Sequence, residues 1–96
     1  MPVRPPSAAR FAGKHLLVAH TQAAERYRIA GLFRPAGFVV SAARSAAEAR
    51  AHLAHRPINL LVIEERFTAT PAEQTALEAL AAGRGAVIVR ISSVPT

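Results

Sequence analysis

The run Ile58-Asn59-Leu60-Leu61-Val62-Ile63, closed by Glu64 and Glu65, limits what this chain can become more than any other segment. Its apolar residues are interrupted only by Asn59, so it lacks the polar alternation of a strand with one wet face. Such a run reads as a strand covered on both sides, the kind found in a parallel sheet between helical layers. Open α/β sheets gather their chemistry at the carboxyl ends of their strands. Here that end carries two carboxylates, Glu64 and Glu65.

The flanking segments fit the same plan. Lys14 to Ala19 reads as a short aliphatic first strand, followed by a turn at His20-Thr21-Gln22. Thr21 is placed to cap a helix from Gln22 to Arg34 whose inward residues are expected to be Ile29, Leu32, Phe33 and Ala36. Pro35 and Gly37 stop it, and Phe38 to Ala42 forms a second strand. Ser45-Ala-Ala-Glu48 is a capping box opening a helix to about His55, with Ala49 and Leu53 toward the sheet. Thr70-Pro71-Ala72-Glu73 is another, starting a helix with Ala76, Leu77, Leu80 and Ala81 inward and ending at Gly83 and Gly85. Ala86 to Ile91 is a fourth strand. Strands and helices that alternate through short connections imply a parallel sheet with right-handed crossovers.

Composition narrows the class further. At 96 residues the chain is one domain with one core. It has no cysteine, which removes disulfides and thiolate metal sites and fits a reducing cytoplasm. No apolar run is long enough to span a bilayer. Residues 1–13, rich in proline, read as a disordered leader, and 93–96 as a tail. The net charge is +6, almost all from arginine, with Lys14 the one lysine. The arginines are scattered singly: Arg44, Arg50 and Arg56 recur every six residues, about 600° around a helix at each step, and make no stripe. Every acidic residue is a glutamate.

Taken together, Ala36-Gly37-Phe38-Val39-Val40, Ser45-Ala-Ala-Glu-Ala49 and Arg56-Pro57-Ile58 through Glu64 resemble the response-regulator receiver domain, as in chemotaxis response regulators. The resemblance runs over roughly residues 14–92 and implies a three-layer, flavodoxin-like parallel sheet, here truncated, with strand order 2-1-3-4. It also assigns positions. Glu64 falls at the phosphoacceptor aspartate. The acidic pair that holds magnesium falls at Ala19 and His20. The hydroxyl at the end of the fourth strand falls at Ile91 or Ser92. The family's lysine belongs on a fifth strand, for which the sequence to Thr96 supplies no segment.

The resemblance therefore implies a pseudo-receiver. Magnesium wants several hard oxygen ligands, and a pocket of Ala19, His20, Glu65 and Ser92 around Glu64 offers too few. Without any aspartate the family's acyl phosphate has no acceptor. No catalytic residue, metal or cofactor is expected. Two readings of Glu64 and Glu65 stand: a solvated strand end, or Glu64 as a fixed negative charge in place of a phosphorylated aspartate. His52 and His55 read as a surface pair, and no nucleophile-elbow pattern supports hydrolysis.

The fourth strand adds a further expectation. With no fifth strand beside it, Val87, Ile88, Val89 and Arg90 form an open apolar edge, which invites a protein partner, self-association or the rest of a longer protein. The function expected is a non-enzymatic interaction or dimerisation module in signal transduction. The alternative is a small basic protein that binds nucleic acid through its arginine-rich surface.

Overall fold

A computed structural model of the chain describes residues 11–92. Four parallel strands, β1 (His15–Ala19), β2 (Val39–Ala43), β3 (Leu60–Glu64) and β4 (Val87–Ile91), lie in the order β2-β1-β3-β4. Three helices connect them: α1 (Ala23–Phe33), α2 (Ala46–His55) and α3 (Pro71–Gly83), with a 3-10 turn at Arg34–Ala36. The expected strand order and three-layer architecture are those observed.

Strand β3 is interior, as its unbroken apolar run requires. Leu61, Val62 and Ile63 are all buried. Alternate residues project to opposite faces, which divides the core into two layers. Leu17, Ala19, Leu61 and Ile63 pack under α2 and α3 with Leu53, Phe67 and Leu77. Leu16, Val18 and Val62 pack under α1 with Ile29.

The capping residues act as the sequence suggests, with one difference. Ser45 Oγ accepts from the Glu48 N–H at 3.2 Å, and Thr70 Oγ1 accepts from the Glu73 N–H at 3.2 Å. The Glu48 carboxylate, however, accepts from the Arg44 N–H and Nε, each at 3.0 Å, in place of the box's return bond. Gly37 ends the 3-10 turn at φ 102°, a left-handed conformation that L side chains rarely adopt.

Two helix faces differ from expectation in the same way. On α1 Ile29 and Phe33 pack on the core as expected and Ala30 is buried beside them, while Leu32 is 63% exposed. On α3 the inward residues are Leu77, Glu78 and Ala81, with Ala76 and Leu80 outside. In each case the buried arc is turned by about one residue, roughly 100°, so that polar residues enter it: Arg26 on α1, and Gln74 and Glu78 on α3.

Of the segment read as a leader, residues 1–10 lie outside those described, as does the tail 93–96. Phe11 is half-buried and stacks on Phe38 with centroids 4.8 Å apart. None of the helices among the described residues is long and apolar enough to cross a membrane.

Candidate functional site

Parallel pairing of Ala19 with Ile63 carries the next residues, His20 and Thr21, alongside Glu64. The glutamate is only 5% exposed, so it is not a solvated strand end. Its Oε1 accepts from the Thr21 hydroxyl at 2.9 Å and from the Thr21 N–H at 3.2 Å. The central strand is thereby tied to the turn between β1 and α1.

His20, itself 4% exposed, completes the cluster. Its Nδ1 accepts from the Gln22 N–H at 3.0 Å, which assigns the ring proton to Nε2. That Nε2–H faces Glu64 Oε2 at 3.6 Å, beyond hydrogen-bond range but close enough for electrostatic attraction. Arg26 Nη1 donates to the His20 carbonyl at 2.8 Å and fixes the turn from the helix side. This explains why an arginine occupies the inward arc of α1.

The other residues expected in this pocket are elsewhere, and the alternation of strand side chains is the reason. Ala19 belongs to the core layer under α2 and α3. Glu65 is exposed and follows Glu64 on the opposite side of the strand. Register pairs Glu64 with Ile91, so the residue beside it on β4 is aliphatic; Ser92 lies one position further and is exposed. Of the expected pocket, only His20 meets Glu64. The hydroxyl comes from Thr21, which the sequence presented as a helix cap. Gln22 is the N-cap of α1 and makes no side-chain cap bond.

These groups do not fit a magnesium ion. Octahedral magnesium takes several hard oxygen ligands, whereas this cluster has one carboxylate, one hydroxyl already donating to it and an imidazole. Among the described residues no three His, Cys, Asp or Glu side chains converge to hold a metal. His52 and His55 sit in the last turn of α2 without a third ligand.

A second polar network joins α3 to the same end of the sheet. Gln74 Nε2 donates to the Glu64 carbonyl at 3.0 Å and to Glu78 Oε2 at 3.2 Å, and its Oε1 accepts from the Thr68 N–H at 3.2 Å. Glu78 pairs with Arg90 of β4, whose Nε and Nη2 stand 2.8 and 2.6 Å from Oε1. The guanidinium holds the Glu78 carboxyl below its ordinary range, with Gln74 helping and burial opposing. An open cleft of about 540 Å³ runs past Glu65, Thr68, Gln74 and Arg90.

The fold, so described, is similar to a solved receiver structure. The MaeR response regulator bound to beryllium trifluoride superposes with a TM-score of 0.70 at 16% identity, covering 86% of this chain and 70% of that one. No protein-family model matches the chain, and no curated protein matches it in sequence. At this identity the likeness shows the fold, which is receiver-like, with four strands among the described residues.

Proposed function

We propose that this receiver-like domain is a non-enzymatic pseudo-receiver, a protein-interaction module of signal transduction that self-associates through the open edge of β4. The observation that carries the first half is the fixation of Glu64. A carboxylate stands at the end of the central strand, buried, with Thr21 donating twice to one oxygen. It holds its carboxyl group one methylene farther from the strand than an aspartate would, and the groups around it do not fit the magnesium that acyl-phosphate chemistry needs.

The second half rests on the sequence of the edge. Among the described residues β4 has a strand neighbour on one side only, and its Val87 and Val89 are 64% and 42% exposed. A two-fold axis at Val89 would pair two copies antiparallel, with Val89 opposite its counterpart and Val87 opposite Ile91. The aliphatic face would then continue across the junction. Arg90 would face Ile88 of the other copy, so no like charges oppose. Self-complementarity of this kind is what an isologous contact requires, which favours a second copy over an unrelated strand.

Sedimentation at high micromolar concentration tests the edge. A dimer is expected, with Val89→Lys monomeric and equally folded; a monomeric wild type removes the self-association. Incubation with a small phosphodonor and magnesium tests Glu64. The intact mass should not change, and a gain of one phosphoryl group would overturn the pseudo-receiver reading.

A further inference from the structure

The topology sorts the carboxylates to one end of the sheet and leaves four cations at the other. All three helices run antiparallel to the strands, so every helix begins at the carboxyl end of the sheet and finishes at the amino end. Glu25, Glu48 and Glu73 lie in first helical turns, and Glu64 and Glu65 at the end of β3. Glu78, midway along α3, is bonded to Arg90 near the end of β4. That accounts for all 6 acidic residues of the sequence.

The amino end of the sheet is different. Lys14 precedes β1, and Arg34, Arg56 and Arg84 follow α1, α2 and α3 as C-cap residues or their equivalent. His52 and His55 lie in the last turn of α2. Among the described residues no carboxylate shares this end. Arg56, Arg84 and His55 line an open cleft of about 300 Å³. Their guanidiniums reach only neutral acceptors, Ser41 Oγ at 3.3 Å and the Ala54 carbonyl at 3.4 Å.

Helix dipoles account for part of this arrangement, since cations are favoured at C-termini. They do not neutralise it. Three helix ends supply roughly −1.5 in partial charge against four cationic side chains, so an excess of positive charge remains.

We infer that this end of the domain is a binding surface for the phosphate backbone of duplex nucleic acid, read by charge and not by base. Guanidinium matches phosphate in bidentate geometry, and three of the four cations are arginines. A single-strand site would need a series of exposed aromatic side chains for stacking successive bases; Phe11 and Phe38 near this end are half-buried on each other, and the exposed Tyr27, which lines a cleft with Arg34, offers one platform and no series. A membrane site would need one apolar insertion face. The exposed Leu32, Val39 and Val87 near this end instead lie on three elements, and Val39 and Val87 on opposite faces of the sheet.

Each phosphate neutralised on a duplex adds about 0.9 to the slope of log affinity against log salt. Four cations thus predict a slope of about −3.6, a loss of about 100-fold between roughly 50 and 200 mM salt. The probe is a labelled DNA duplex of about 24 base pairs, long enough to extend beyond a four-phosphate contact, titrated with the full chain. Arg34→Gln/Arg56→Gln/Arg84→Gln should flatten the slope by about 2.7. Arg28→Gln/Arg50→Gln/Arg66→Gln removes the same net charge from elsewhere and should leave it unchanged. Arg4 and Arg10, outside the described residues, are kept in every variant. Should the first triple variant unfold, each single substitution is still expected to remove about 0.9. Equal effects of the two triple variants, no binding at low salt, or equal binding to polyglutamate or anionic vesicles would overturn the inference. None of these outcomes depends on pairing at β4.

Discussion

Replacing Thr21 by valine isolates the clamp on Glu64. The two side chains have nearly the same shape, so the loss is the hydroxyl that donates to Glu64 Oε1 at 2.9 Å. A hydrogen bond to a carboxylate contributes roughly 1.5–3 kcal/mol. Two features pull the value to the lower end. Thr21 is itself exposed, so water can approach from its side. Its N–H also continues to donate to the same oxygen at 3.2 Å. The expected loss is about 1.5 kcal/mol. With an unfolding entropy of about 2.1 cal/mol/K per residue over roughly 80 folded residues, that lowers Tm by about 9 °C.

Urea unfolding followed by far-UV circular dichroism measures the loss, and Thr21→Ser, which keeps the hydroxyl, should retain most of the stability. A cycle with Glu64→Gln separates the bond from its surroundings, because residues in direct contact couple by about 0.5 kcal/mol or more. If Thr21→Val unfolds at the wild-type midpoint, or the cycle shows no coupling, then Thr21 does not anchor Glu64 and the carboxyl group is not held in place by that turn.

Leu53 is 1% exposed, so Leu53→Ala should cost about 2–5 kcal/mol by denaturant melt. Leu32→Ala, on the outward side of α1, should fall within about 0.5 kcal/mol of wild type; equal effects would mean that the helix face is misplaced. Glu78 has its folded pKa lowered by Arg90. Its contribution is therefore complete above the unfolded carboxylate value of about 4.3 and is lost as pH falls through the folded value. The stability gap between wild type and Glu78→Gln should be flat from about pH 6 to 8 and shrink below about pH 4. A gap that widens on acidification would contradict the pairing.

The sheet was legible because each strand is a short apolar run alternating with a helix, which implies parallel pairing; its order, β2-β1-β3-β4, is what the receiver resemblance implies and connection lengths alone do not fix. The site was less so, for reasons that lie in single residues. A strand without polar alternation hides its own phase, so nothing in Leu60 to Ile63 says which of Glu64 and Glu65 turns inward. Thr21 stands before a helix, where a hydroxyl ordinarily caps, and its partner is 43 residues away. The helix faces slipped because Arg26, Gln74 and Glu78 look like solvent residues by type. Their places on the inward arc follow from bonds to His20, Glu64 and Arg90 that only the tertiary structure supplies.

On the reading proposed here, the clamp also limits how such a domain can be controlled. A ligand or modification moves a two-state equilibrium only through unequal interaction with the two states. Phosphorylation does this by bringing charge and acceptor oxygens to a place that lacked them. The groups around Glu64 do not fit the magnesium that an acyl phosphate needs, so on this reading there is no such addition to make. Control then passes to the abundance of copies, since pairing at an edge follows mass action. The two features are also separated in space: the clamp joins β1 to β3, and the edge lies on the far side of β3. Thr21→Val should therefore lower stability while leaving the dimer dissociation constant unchanged at temperatures where both proteins are folded. A shift in that constant would show that turn and edge are coupled, and that the pseudo-receiver retains a switch.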